Sequence, residues 1–433
     1  MLLHRPKVQA SAKKRLIAYS GVQFLVYVFC GLGLPVLFWV AFRNFDLGSV
    51  FLLNTLYSLG VGTIIVWHTL ARLREYAKSR QLSYVIPVNF LAFGTVLGII
   101  ALFRMTYSIP LFVLGVLGTF IASYVLTAIN RRNRQLQYLV PGGKVDEVEF
   151  GVSFVPVPPI EELQSLVEAR RVEGAIVADL HYDHPPEWER LFARAALNGI
   201  PVYHFRQIVE MQTGQVRISH LSENDLGSLI PNVPYMASKR MVDILGAMLI
   251  FPICLLLFVI IGIAIKLTSP GKIFFIQERV GFRAQKFRMI KFRTMHECSP
   301  SSDEDKMRDD AMTKSEDGRI TSLGKFLRKT RLDELPQIFN ILSGDMSWIG
   351  PRPEAVALSE WYEGELPFYS YRHILRPGIT GWAQVNQGHV TDLNDVTAKL
   401  RYDFYYVKNV SLWLDALIAL KTLRVIVTGT GAR

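Results

Sequence analysis

Four apolar stretches open the chain, at roughly Ala18 to Phe42, Val50 to Leu70, Tyr84 to Phe103 and Tyr107 to Thr127. Each is close to the ~20 residues that a helix needs to cross a hydrocarbon core. Basic residues alternate with them. Arg5, Lys7, Lys13, Lys14 and Arg15 precede the first stretch, Arg72, Arg74, Lys78 and Arg80 follow the second, and Arg131, Arg132 and Arg134 follow the fourth. The other two loops carry little beyond Arg43 and Arg104. Lysine and arginine stay on the cytoplasmic side, so residues 1–133 are expected to form a four-helix transmembrane bundle with both ends inside. Buried helices of a soluble protein would not alternate with basic loops in this way. The first stretch also runs too far for a cleavable signal peptide.

The remaining 300 residues are mixed. The formal net charge of +11 in a chain that is 50% hydrophobic points to an anionic membrane and phosphorylated substrates and away from nucleic acid. Cys30, Cys254 and Cys298 lie far apart, with neither a CxxC pair nor a disulfide framework. Residues 134–222 have the composition of a soluble domain. QLQYLV, VSFVPV, GAIVADL and IPVYHF read as strands; Ile160–Arg171 and PEWERLFARAAL read as helices. This alternation predicts a small Rossmann-like α/β domain with a parallel sheet. PGGKVDE after the first strand is no GxGxxG, so a dinucleotide site is not expected. His181, Asp183 and His184 share a loop without metal-site spacing and read as solvated. A linker is assigned to 223–238.

A fifth apolar stretch, Met241 to Leu267, carries Pro252 in its middle, where proline removes a backbone hydrogen bond and kinks a helix. Lys239 and Arg240 precede it and Lys266 and Lys272 follow it. Basic residues at both ends favour a re-entrant helix over 239–268 that dips in, bends at Pro252 and returns. A kinked full crossing is the alternative. Lys239, Arg240 and Asp243 would then lie at headgroup depth, where the two cations suit a lipid phosphate or simple interfacial anchoring.

Beyond Ser269, basic and glycine-rich clusters alternate with short apolar strands: SPGKIFFIQERVG, KFRMIKFRTM, RITSLGKFLRKTRLDELPQIFNILSGDMSWIGPRPE and RHILRPGITGWAQVNQG. These segments, in this order, resemble the bacterial sugar transferase family, the monotopic polyprenyl-phosphate phosphoglycosyl transferases. The likeness covers residues 239–433, and the bundle plus α/β domain is similar to the family's long form. It implies a mixed α/β catalytic domain in the bacterial inner membrane, facing the cytoplasm. It also implies transfer of a sugar 1-phosphate from a UDP-hexose to undecaprenyl phosphate with release of UMP, dependent on Mg²⁺ and passing through a covalent aspartyl intermediate. That reaction starts exopolysaccharide, capsule or O-antigen synthesis. A homodimer is implied by the long form alone.

The residues suit that chemistry. LDELPQIFNIL reads as a helix start with Asp333 near the N-cap and Pro336 in the first turn. Alone, Asp333 would be an ordinary cap. With Glu334 beside it, the pair offers a carboxylate nucleophile toward phosphorus and hard oxygen ligands for Mg²⁺. The resemblance implies that Asp333 is the nucleophile, that Glu334 is the metal ligand with Asp333 beside it, and that Arg328 and Arg352 contact phosphate. Lys291 and Arg293 of KFRTM are similarly placed. Arg376, Gly378, Thr380, Trp382 and Gln384 belong to a turn-forming run that offers Trp382 as a stacking face for the nucleotide. Asp403 matches a further acidic position suited to metal or substrate. The acidic segment Cys298–Asp317 reads as a surface loop, and Ser411–Val427 as a helix lying on the membrane or buried in the core. Two other functions compete: a scaffold for polysaccharide machinery, and a glycosyltransferase that releases UDP.

Overall fold

A computed structural model describes residues 20–42, 49–74, 76, 82–132, 136–147, 154–172, 174–216, 233–296, 319–387 and 393–428. The N-terminal basic cluster, Arg43, Lys78, Arg80, Arg134, the segment 298–317 and most of the assigned linker lie outside the described residues. The chain divides into two compact units, Met1–Gly214 and Gln215–Arg433. Five helices are long and apolar enough to cross a membrane, and this is a membrane protein with α/β parts.

In the first unit, α1 (Ser20–Val28) passes through a π-helical turn (Phe29–Gly33) into α2 (Leu34–Phe42). These are followed by α3 (Val50–Leu73), α4 (Val85–Leu102) and α5 (Ile109–Arg132). Large apolar side chains face outward, as with Phe90, 78% exposed, and Tyr57, 73% exposed. The interior combines buried apolar side chains such as Leu52, Leu59 and Val66 with polar contacts. Thr63 and Thr119 meet at 3.1 Å, Asn89 donates to Ser123 at 3.0 Å, and Gln23 donates to Asn130 at 3.2 Å. Away from water such groups find partners on neighbouring helices. Gly118 lets α5 approach the π turn, since a Cβ there would lie 2.1 Å from the Cys30 carbonyl oxygen.

The same unit contains a four-stranded parallel sheet in the order β2-β1-β3-β4. Its strands are β1 (Leu136–Leu139), β2 (Val155–Pro156), β3 (Gly174–Ala178) and β4 (Val202–His204). Among the described residues, VSFVPV contributes a two-residue strand. Successive β3 side chains alternate between faces. Ile176 and Ala178 pack with Leu163 of α6 (Ile160–Glu168) and Leu191 of α7 (Pro186–Leu197). Val177 packs on the other face with Phe205 and Ile208 of α8 (Phe205–Thr213). Helices thus cover both faces, which explains why β3 is a continuous apolar run.

The second unit begins with α9 (Val233–Thr268), 36 residues with Pro252 inside it, a length of about 54 Å. Ala247, Cys254, Phe258, Ile261 and Ile265 recur at helical spacing and join one core with Met289, Phe292, Leu327, Ile338, Ile341 and Met346. The opposite stripe is bare: Leu249 and Leu267 are 79% and 82% exposed, and Ile253, Leu256 and Ile260 are also exposed. An antiparallel hairpin of β5 (Phe274–Val280) and β6 (Lys286–Phe292) follows. Then come α10 (Ser322–Thr330), a 3₁₀ turn (Leu332–Gln337), α11 (Ile338–Ser343) and β7 (Ser347–Ile349). The chain continues through α12 (Val356–Glu365), β8 (Gly378–Thr380), α13 (Trp382–Asn386), α14 (Leu393–Lys408) and α15 (Leu412–Thr428). β8 pairs in parallel with β7, and a Cβ at Gly378 would lie 2.1 Å from the Gly350 nitrogen. Along α15, Leu414, Leu417, Ile418 and Leu420 are buried while Leu412, Leu423 and Ile426 are exposed, so one face of the helix packs into the core and the other is bare.

Candidate active site

The centre is built by an interrupted helix. α10 ends at Arg331, whose φ of 58° is left-handed. The chain re-enters as the 3₁₀ turn with Asp333 and Glu334 in its first turn. Both carboxylates are buried, 8% and 6% exposed. Three cations from three segments converge on Glu334 Oε1: Lys291 Nζ of β6 at 3.3 Å, Arg352 Nη2 at 3.3 Å and Arg331 Nη1 at 3.8 Å.

The two neighbours titrate in opposite directions. Burial would push Glu334 up, but Lys291, Arg352 and Arg331 outweigh it and hold the carboxyl at about 2. Burial pushes the Asp333 carboxyl up, and the Glu334 charge adds to this; Lys291, Arg331 and Arg328 offset only part. Asp333 Oδ1 is buried with no hydrogen-bond partner among the described residues. Such an atom is costly unless a cation or a reacting group completes it. The paired carboxylates are hard oxygen donors of the kind that hold small divalent cations.

A second buried network braces Arg352. Arg372 pairs with Asp403 at 2.9 Å, and its guanidinium also donates to the Tyr369 hydroxyl and the Arg352 carbonyl, each at 2.7 Å. Glu354 pairs with Lys399 and lies 3.9 Å from Arg372. Arg279 donates to the Pro353 carbonyl at 3.2 Å. Burial would raise the Glu354 carboxyl, but Lys399 and Arg372 hold it at about 2. The segment Pro351–Glu354 is therefore gripped on both sides, which aims Arg352 at Glu334.

Of the residues singled out in the sequence, Lys291 and Arg352 meet Glu334 directly, and Asp333 adjoins it in the chain. Arg328 acts on Asp333 by charge and donates to Thr294 Oγ1 at 2.9 Å. Several others hold the frame. Arg293 donates to the Ser269 carbonyl at 2.9 Å and ties down the end of α9. Arg376 donates to the Gly344 carbonyl at 2.9 Å and lies over Phe282. Thr380 meets Thr422 at 2.8 Å, and Gln384 donates to the Ile379 carbonyl at 3.0 Å. Asp243 accepts from the Trp348 amide at 3.3 Å.

Four further residues are placed by their neighbours. Trp382 presents no stacking face for a nucleotide: it is fully buried, stacked on Tyr405 with Lys421 Nζ 4.3 Å from its ring centre. Asp403, 1% exposed and paired with Arg372, sits as an anion within the protein's own ion-pair network. Lys239 and Arg240 are committed within the protein, the first to Asp415 at 2.6 Å, the second to the Ile341 and Leu342 carbonyls at 2.6 and 3.2 Å. Arg331, Glu354, Arg372, Lys399 and Arg279 were not singled out. Glu354 lies in the quoted GPRPE segment, the one signal that pointed to it.

A buried carboxylate pair ringed by Lys291, Arg331 and Arg352, on a unit carrying a bare apolar helix, defines a membrane enzyme of the group-transfer kind. The family model described as bacterial sugar transferase matches residues 234–429. A UDP-N-acetylgalactosamine-undecaprenyl-phosphate N-acetylgalactosaminephosphotransferase of Aeromonas hydrophila is 40% identical over 91% of this chain and 91% of its own length. A UDP-glucose:undecaprenyl-phosphate glucose-1-phosphate transferase of Xanthomonas campestris pv. campestris is 42% identical over 38% of this chain and 34% of its own. An Escherichia coli K12 protein of the same description is 40% identical over 43% and 39%. The chain belongs to the bacterial sugar transferase family and is a transferase.

Proposed function

We propose that this protein transfers a sugar 1-phosphate from a UDP-sugar to undecaprenyl phosphate and releases UMP. The observation that carries the reading is the buried, unpartnered Oδ1 of Asp333 beside a Glu334 held ionised by three cations. A carboxylate oxygen of Asp333 attacks the sugar-bearing phosphorus. The bond from that phosphorus to the bridging oxygen breaks, and UMP leaves with the oxygen. An oxygen of undecaprenyl phosphate then attacks the aspartyl-linked phosphorus, the acyl-phosphate bond breaks, and the Asp333 carboxylate is restored. Lys291, Arg331, Arg352 and Arg328 suit the developing phosphate charge, the arginines through their planar forks. Asp333 and Glu334 would hold Mg²⁺, which would neutralise the pyrophosphate.

The reading places this chemistry at the cytoplasmic face of the inner membrane, with α9 re-entrant. Both ends of α9 are tied to the one catalytic unit, by Lys239 to Asp415 and by Arg293 to Ser269. Its packed stripe continues on both sides of Pro252. These ties support entry and exit on one face. The dimer implied by the long form belongs to the same reading and is checked by the mass of the detergent-solubilised particle.

The test is incubation of purified protein with Mg²⁺, undecaprenyl phosphate and a panel of UDP-sugars that includes UDP-N-acetylgalactosamine. UMP and a sugar-diphospholipid are expected. UDP release would indicate transfer of the sugar alone, and the absence of nucleotide release across the panel would sink the proposal.

A further inference from the structure

The carboxyl edge of the parallel sheet gathers residues that the transfer reaction does not use. β1 turns at Pro141–Gly143, β3 ends immediately before Asp179, and β4 ends on His204. Ala178 and His204 are register partners on adjacent strands. In the order β2-β1-β3-β4, the chain moves from β1 to one side and then crosses to the other, so the direction of winding reverses between β1 and β3. Ligands of open α/β sheets bind at the carboxyl ends of the strands beside such a reversal.

Three donor atoms converge there. His204 Nε2 lies 2.9 Å from His181 Nδ1 and 3.2 Å from Asp179 Oδ1. All three ligand atoms fall within 4.8 Å of one another. Asp179 is buried, 6% exposed, while His181 is exposed and leaves a side open to solvent. A supporting shell orients the carboxylate. The Lys144 amide donates to Oδ2 at 2.9 Å, the His181 amide donates to Oδ1 at 3.1 Å, and the His184 ring meets the Asp179 carbonyl at 3.0 Å. His184 is itself 5% exposed, which corrects its reading as a solvated loop residue. Asp183 is exposed, as expected.

We propose that Asp179, His181 and His204 form a binding site for a divalent transition metal of the Zn²⁺ type. Two imidazole nitrogens and one carboxylate oxygen match the three-ligand set that such ions take while keeping one position open. Mg²⁺, which prefers an all-oxygen shell, suits this donor set poorly. Without the metal, one proton occupies the point of convergence. His204 Nδ1 accepts from the Arg206 amide at 3.1 Å, which leaves the ring proton on Nε2, between Asp179 and His181. A metal at Nε2 shifts that proton to Nδ1 and the ring stays neutral. The Arg206 amide then loses its acceptor, so metal binding releases the N-cap of α8. Metal binding at this sheet edge is independent of the transfer reaction, so a failed transfer assay leaves it standing.

The test uses the full chain in detergent, without a polyhistidine tag and with excess Mg²⁺ to occupy the Asp333–Glu334 pair. Co²⁺ is titrated and followed by the visible bands of its tetrahedral complex, then displaced by Zn²⁺. One equivalent is expected to bind. His181→Ala, at an exposed position that does not threaten folding, and Asp179→Asn should each weaken binding roughly tenfold or more. No tetrahedral band, or a band that persists unchanged in both variants, overturns the proposal.

Discussion

Asp403→Asn separates two roles for one residue, because the variant keeps the shape and loses the charge. In the wild type, Asp403 and Arg372 are both 2% exposed in their side chains and 2.9 Å apart. Removing one member of a buried pair leaves an uncompensated charge and costs about 3–5 kcal/mol. The lower end applies here, since Arg372 keeps the Tyr369 hydroxyl, the Arg352 carbonyl and Glu354 at 3.9 Å. For a unit of this size, about 3 kcal/mol corresponds to a fall in Tm of roughly 6–12 °C. Thermal unfolding of the detergent-solubilised protein measures it. Replacing both partners, Asp403→Leu with Arg372→Met, should recover part of the loss, because no buried charge then stands alone. If the single variant instead melts within about 2 °C of wild type while KM for the UDP-sugar rises, Asp403 is a substrate contact. The bracing role would then be refuted.

Asp333→Asn should abolish the trapped aspartyl sugar-phosphate; an intermediate that survives would move the nucleophile elsewhere. Lys291→Met should slow transfer by about 10²–10³-fold at saturating substrate, and a change confined to KM would deny it a role in the transition state. Asp333 must be ionised to attack, and burial beside Glu334 raises its carboxyl. Activity should therefore fall with decreasing pH sooner than for an ordinary carboxylate, and Lys291→Met should move that limb to still higher pH. Glu334 and Glu354 are both depressed to about 2. Their contribution to stability is present above the ordinary glutamate range and is lost as pH falls through about 2. Acid unfolding of Glu354→Gln should show a shallower pH dependence than wild type. In the bundle, Gly118→Ala should lower stability in detergent by about 1–3 kcal/mol, because the new Cβ meets the Cys30 carbonyl at 2.1 Å; an unchanged melting point would mean that α5 does not approach the π turn so closely.

Much of the architecture was legible because its signals are local. The four spans, the strand-helix alternation and the long apolar helix with its proline are periodicities along the chain, and the helices lie close to where those periods place them. The ends of elements were less accessible. VSFVPV looked like a strand, yet among its described residues Val155 and Pro156 alone pair with β1. LDELPQ begins as a 3₁₀ turn after a left-handed Arg331, because the break is set by docking against β6. α8 was missed altogether, its apolar residues few and its cap a histidine.

The sequence by itself determined the membrane class and the family, and pointed to Asp333 and Glu334 as the candidate pair, because hydropathy and long ordered motifs survive without coordinates. Tertiary structure alone decided which charges serve the site. Asp403 and Glu334 are equally acidic on paper; one is spent on Arg372, the other gathers Lys291, Arg331 and Arg352. Trp382 and Lys239 looked available and are not, since the partners that claim them, Tyr405 and Asp415, lie 23 and 176 residues away in the chain. His204 shows the same rule from the other side: 23 residues separate it from His181, and only the pairing of parallel strands brings their nitrogens to 2.9 Å. The strength of a charge or a ligand depends on its neighbours through burial and distance, and neither is a property of the linear chain.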